Sequence, residues 1–232
     1  MIELDDQIGV GSMDDRSPTD RSPAGAERVF LLSPAHCAGK RAGILCRDAA
    51  DFALARQVRT ATGAPLGEVF SFMSGLYFRG KLAYARAFAA QPSHALIITP
   101  TDGLLEPDTP IATADLARYA AVAVDEDEPR YRLPLVRAAR RLARTLSDDV
   151  EVVLLGSIAT RKYLHVLQPI FGARLCVPRD FIGRGDMSRG ALLLHAVRAS
   201  RELEYLRVDS LLDGSATSGS PRHTSRRAGS DD

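Results

Sequence analysis

Tryptophan is missing from this chain, cysteine occurs three times, and lysine supplies only three of the 30 basic residues. Each scarcity excludes something. Cys37, Cys46 and Cys176 are an odd, scattered set, which makes no disulfide framework. No second Cys/His pair stands at finger-like spacing, so neither a metal site nor a cofactor is expected. An excess of one charge is missing too. The net charge is +1 and the pI about 7.8, so no bulk field drives the chain onto nucleic acid or an acidic membrane. Any polyanion site has to come from local clustering. No apolar run approaches the roughly 18 residues of a membrane span, so no membrane partner is expected. The first 20 residues lack a basic segment followed by an apolar core, and the expected location is the cytoplasm. Lys40, Lys81 and Lys162 stand in an arginine-dominated background. There a merely solvated charge is replaceable by arginine, whereas a compact ammonium is not. The alternative is that three lysines persist by chance.

What is present is an ordinary globular composition, 45% hydrophobic and 25% charged. Residues 1–27 and 209–232 are rich in Asp, Ser, Pro and Gly and poor in large apolar side chains. They bury too little surface to offset ordering entropy and are expected to be disordered tails. A single α/β domain is expected over 28–208. Four near-continuous apolar runs, Val29–Leu32, Ala95–Thr99, Val150–Leu155 and Arg174–Val177, predict strands buried on both faces; Tyr205–Val208 is a fifth candidate. Helical periodicity marks Asp51–Ala61, Phe78–Ala90, Leu133–Leu146, Thr160–Phe171 and Ser188–Arg201. The alternation predicts a three-layer α/β fold: a mainly parallel sheet of four to five strands with helices on both faces.

In such sheets ligands bind beyond the carboxyl ends of the strands. The segments there are rich in glycine, hydroxyls and cations. Ser33, Cys37, Lys40 and Arg41 follow the first strand, and Thr101 and Asp102 the second. Ser157, Arg161 and Lys162 follow the third, and Arg184, Asp186, Ser188 and Arg189 the fourth. Tyr77 and Lys81 open the helix after Ser74-Gly75. Together they form the candidate site for a phosphate-bearing ligand, with Lys40, Lys162 and Arg189 as its expected phosphate contacts. Gly156-Ser157 ahead of a helix suits an anion, although Ser157 or Thr160 serving only as a helix cap explains the same residues. Gly185 to Gly190 has phosphate-loop spacing without the Lys-Ser/Thr that completes the motif. Asp102 is the candidate general acid or base, against the plainer reading of an Asp-Gly turn. His36 and Cys37 are adjacent on an extended segment and so point apart, which disfavours a base–nucleophile pair. Arg137, Arg140, Arg141 and Arg144 lie opposite the apolar stripe of their helix. That face tracks a phosphate backbone or is solvated and balanced by the acids at 125–128.

Cys37-Ala-Gly-Lys40, then Leu76-Tyr77 before an Ala-rich helix, then Ile97-Ile98 running into Gly103-Leu104-Leu105, resembles a pattern in a group of bacterial α/β proteins. That group is similar to the peroxide-stress protein YaaA and to nucleobase-glycosylase-like domains associated with tRNA modification. The resemblance covers about residues 30–107. The group's glycine after Leu-Tyr falls one place later here, at Gly80, and its Lys-Tyr before Gly-Leu-Leu is Thr101-Asp102. The resemblance implies a nucleobase or nucleic-acid connection.

Three functions follow as expectations. The first is a nucleotide- or nucleic-acid-acting protein, with an N-glycosidic bond as its target and Asp102 near the anomeric carbon. The second is a module that binds an anion or nucleic acid without chemistry, and the third is an interaction protein. The sequence sets neither enzyme status nor oligomeric state. Convergence of Lys40, Lys81 and Lys162 on one cleft would favour the first two over the third.

Overall fold

The computed structural model describes residues 26–158 and 161–211. Most of the two expected tails lies outside these residues. Glu27 nonetheless belongs to the fold, since its carbonyl accepts from Glu151 N at 3.0 Å. At the other end Leu211 packs against the core past the expected boundary at Val208.

The strands are β1 (Arg28–Leu32), β2 (Ala64–Pro65), β3 (Ala95–Thr99), β4 (Gly103–Leu105), β5 (Pro110–Ile111), β6 (Glu151–Leu155), β7 (Leu175–Pro178) and β8 (Tyr205–Arg207). The helices are α1 (Lys40–Leu45), α2 (Ala53–Val58), α3 (Leu66–Ser74), α4 (Leu76–Phe88), α5 (Thr113–Ala120), α6 (Pro129–Thr145), α7 (Arg161–Phe171) and α8 (Asp186–Arg198). All five apolar runs are strands. The main sheet has six strands in the order β4-β3-β1-β6-β7-β8, not the four to five expected. The extra strand is β4, which folds back antiparallel on β3 after a turn at Gly103. β3, β1, β6 and β7 are parallel, and β8 closes the far edge antiparallel to β7. β2 and β5 form a separate two-stranded ribbon.

Strand side chains alternate between two apolar clusters. Phe30, Leu32, Ile97, Val153, Leu155 and Cys176 pack with residues of α1–α5 and α8. Val29, Leu31, Ile98, Val152, Leu154 and Val177 pack with α6 and α7. Burial on both faces explains why the strands read as unbroken apolar runs rather than alternating ones. No helix among the described residues is long and apolar enough to cross a membrane.

The chain order places the site. From β1 the chain returns to the sheet at β3 on one side, then crosses to β6 on the other. The connections therefore diverge between β1 and β6, and a crevice opens at their carboxyl ends. One wall is set by glycines: α4 and α8 approach so closely that a Cβ on Gly80 would lie 2.7 Å from Gly190 O. Gly190 is thus a helix-packing residue. Gly185 starts α8 at φ −82°, with open space where a side chain would be. Of the two glycines that make the phosphate-loop spacing, packing therefore explains Gly190 and not Gly185.

Candidate functional site

The crevice encloses about 270 Å³. Ser33 and His36 reach it from the end of β1, Ser157 from the end of β6, Tyr77 and Lys81 from α4, Lys162 and Tyr163 from α7, and Asp186 from α8. Loops after the first and third predicted strands meet as expected, joined by the start of α8. Neither Asp102 nor Thr101 lines the crevice, and neither does Lys40. Two of the three lysines converge.

Lys81 is the most deeply placed of these groups, only 1% exposed. Its Nζ donates to Ser33 O at 2.6 Å and lies 2.8 Å from Ser33 Oγ. The rings of Tyr77 and Phe78 flank it, with centroids at 4.5 and 4.8 Å. No carboxylate stands within ion-pair distance among the described residues. Burial disfavours the ammonium and lowers its pKa to about 7, partly opposed by the charge of Asp186. Burial pushes the Tyr163 phenol far up, a shift that the nearby Ser33 side chain partly opposes. Ser33 contacts the amine, and the phenol lines the same crevice. The Ser33 backbone is fixed in turn, because Ser33 N donates to Leu155 O at 3.1 Å. A Cβ on Gly156 would come within 3.1 Å of Ser33 Cβ, so a glycine there lets the β6 end approach.

The hydroxyl of Tyr77 is buried without a partner of hydrogen-bonding geometry. Burial raises its pKa to about 12, and Arg189 lowers it from nearby as a charge. Lys162 is half-buried, lies 5.2 Å from the Tyr163 ring centroid and makes no ion pair among the described residues. Its carbonyl accepts from Tyr131 Oη at 3.1 Å, which ties the start of α7 to α6. Asp186 is exposed and contacts Arg189 Nη1 at 3.5 Å.

The other expected site residues have other employment. Arg189 was expected to contact phosphate, but it is buried, donates to Phe181 O at 2.9 and 3.3 Å and stacks on the Phe181 ring. Asp102 accepts from Tyr119 Oη at 2.6 Å and from Arg118 Nη2 at 2.7 Å, and Thr101 joins the same cluster. The Asp-Gly turn explains this segment: Gly103 has φ +73°, and a Cβ there would meet Pro134 O at 2.6 Å. Cys37 is buried, with a thiol pushed up to about 12 by burial, so it is a poor nucleophile. Lys40 is exposed on α1, and Arg41 reaches Phe72 O at 3.2 Å. Arg161 pairs with Glu126 at 3.6 Å, and Arg184 donates to Ser188 Oγ at 3.2 Å. Thr160, the alternative cap, lies outside the described residues.

Sequence reasoning placed Ser33, Lys81 and Lys162 among the candidates but missed Tyr163 and His36 as crevice residues. Tyr163 directly follows Lys162 after a strand end, which was the available signal. The pairing of Ser33 with Lys81 spans 48 residues and left no local trace. Among the described residues no group of three or more His, Cys, Asp or Glu is placed to hold a metal ion. No family model, no curated protein and no solved structure matches the chain.

Proposed function

We propose that the protein binds a small phosphate-bearing molecule of the nucleotide class in the crevice between β1 and β6. The observation that carries this reading is the convergence of Lys81 and Lys162 with the hydroxyl-bearing Ser33 and Ser157 at the switch point. Neither lysine makes an ion pair among the described residues. The half-buried Lys162 ammonium, without a carboxylate partner among the described residues, favours an incoming anion. Asp186 is the one carboxylate of the lining. It stands close to Arg189, which leaves Lys162 available. No role on an N-glycosidic bond falls to Asp102, which is engaged outside the crevice.

The test is a thermal-shift series with inorganic phosphate, nucleoside monophosphates and sugar phosphates, since a ligand of the native state raises Tm. Lys162→Met is expected to fold normally and to lose affinity about tenfold or more, as removal of one charge-assisted contact does. No shift by the parent protein with any phosphate ligand, or equal shifts in the variant, would overturn the reading.

A second reading, nucleic-acid binding, has its own support. Arg137, Arg140, Arg141 and Arg144 are exposed on α6 and make no ion pair among the described residues. At 100° per residue they share one face. Two of the four acids expected to balance them are engaged elsewhere: Glu126 with Arg161 and His165, Glu128 with Arg130. Short oligonucleotides in the same series separate the two readings. Binding that weakens steeply with salt and ignores Lys162→Met would move the ligand to α6.

A further inference from the structure

We propose that Ser33 is a nucleophile and Lys81 its general base, and that the crevice transfers an acyl group from an anionic ester to water through an ester on Ser33 Oγ. The inference builds on the reading of the crevice as a ligand site.

The geometry around Nζ carries it. A neutral amine has two N–H bonds and one lone pair. One N–H is directed at Ser33 O at 2.6 Å. In the resting contact Nζ also donates to Ser33 Oγ at 2.8 Å; once the amine is neutral, the same contact lets Oγ donate its proton to the lone pair. Both contacts are to the same residue, so the base is aligned on the hydroxyl it would deprotonate. A charged ammonium would instead donate to both oxygens and leave Ser33 unactivated. Burial favours the neutral form: the site is 1% exposed with no carboxylate in contact among the described residues, and the Tyr77 and Phe78 ring faces, which attract a cation, offset this only in part. The fall in pKa to about 7 is the same effect expressed as a proton affinity. A hydroxyl and a desolvated amine at one point are a pair suited to acyl transfer.

The steps balance. Ser33 Oγ bonds to the acyl carbon while its proton passes to Lys81 Nζ. The carbon–oxygen bond to the alcohol breaks, and the alcohol leaves with a proton drawn from the Lys81 ammonium. Water then adds to the Ser33 ester, giving its proton to Lys81. The acid departs as Ser33 Oγ recovers that proton. Lys162 offers the charge that would hold an anionic substituent of the ester; Asp186, His36, Tyr77 and Tyr163 are the other ionisable side chains of the lining.

The experiment is active-site labelling of the full chain with an uncharged alkyl fluorophosphonate, read by intact mass and peptide mapping. Attack on phosphorus forms the Oγ–P bond and releases fluoride, with the serine proton left on Lys81. One equivalent of label on Ser33 is expected, none in Ser33→Ala, and a rate lower by on the order of 10²–10⁴-fold in Lys81→Met. The parent's labelling rate should rise about tenfold per pH unit below pH about 7 and level above it, and should do so also in His36→Asn, which removes the imidazole from the crevice lining. No label on Ser33, equal labelling of Ser33→Ala, or a flat pH profile would overturn the proposal. The pH profile decides the question even where Lys81→Met does not fold. The probe carries no anion, so the outcome separates the two ideas. Failed labelling with intact phosphate shifts removes the nucleophile and leaves the ligand site. Labelling without phosphate shifts does the reverse.

Discussion

Strands β1 and β6 lie side by side, and each end of the pair buries one cation. At the start of β1, Arg28 is 6% exposed; beyond its end, Lys81 is 1% exposed. The two cations are treated in opposite ways. Arg28 meets Glu151 at 3.0 Å and Glu202 at 2.8 Å, and its guanidinium lies 4.9 Å from the Tyr205 ring centroid. Lys81 meets a hydroxyl, a carbonyl and two ring faces. The first arrangement neutralises a charge that burial would otherwise penalise and ties together β1, β6 and the segment before β8. The second leaves the penalty in place and shifts it onto the proton. A buried cation with partners holds a fold together. One without them, facing a crevice, is available for a ligand or a reaction.

The contrast can be broken first at its stabilising end. Arg28→Met leaves Glu151, itself buried, without its cation. Removing one member of a buried pair costs about 3–5 kcal/mol because the partner is left uncompensated. Urea unfolding should show that loss as a lowered midpoint with an unchanged slope. A loss under about 1 kcal/mol would mean that the Arg28 cluster is not a charge lock.

At the other end the expected effect has a pH signature. Folding lowers the Lys81 pKa from 10.5 to about 7. The unfolded state therefore binds more protons across that interval, and stability rises with pH through it. The cost of the buried ammonium is fully present below about pH 7 and fades as the pH climbs. One proton gives a slope of at most about 1.4 kcal/mol per pH unit. Lys81→Met should remove that slope and gain most at the acid end. Comparison between about pH 7 and pH 9 is cleanest, because the buried tyrosines, whose phenols folding raises, oppose it only at higher pH. Parallel stability curves for parent and variant would show that Lys81 stays charged in the fold.

Much of the frame was legible because its physics is local. Strands covered on both faces must be apolar through their middles, and residues 29–32, 95–98 and 152–155 are. Short elements were not. β4 has three residues and exists because Gly103 can turn left-handed against α6, a tertiary contact without periodicity. α1, α3 and α5 are six to nine residues long and went unmarked. For the site, the scarcity of lysine singled out Lys81 and Lys162, which line the crevice, but equally Lys40, which is exposed on α1. Arg189 and Asp102 had suitable residue types in suitable places. What distinguishes them from Lys81 is whether their charges already have partners, and partnership across 8 to 48 residues is decided by packing.

The smallest expected effect belongs to Asp102, and it sharpens the boundary of the site. Its carboxylate is about one-third exposed and faces Arg118, which is half exposed. Solvent screens such a pair, so its loss costs about 0–1 kcal/mol. Asp102→Asn keeps an amide oxygen for the buried Tyr119 hydroxyl, which preserves the shortest of its side-chain hydrogen bonds. The variant should fold with nearly the parent's Tm. Because Asp102 is outside the crevice lining, phosphate ligands should shift that Tm as they shift the parent's, and fluorophosphonate should label Ser33 at the parent's rate. A variant that folds but responds to neither would extend the site to the β3–β4 turn, and the carboxylate held by Arg118 and Tyr119 would then be part of its chemistry.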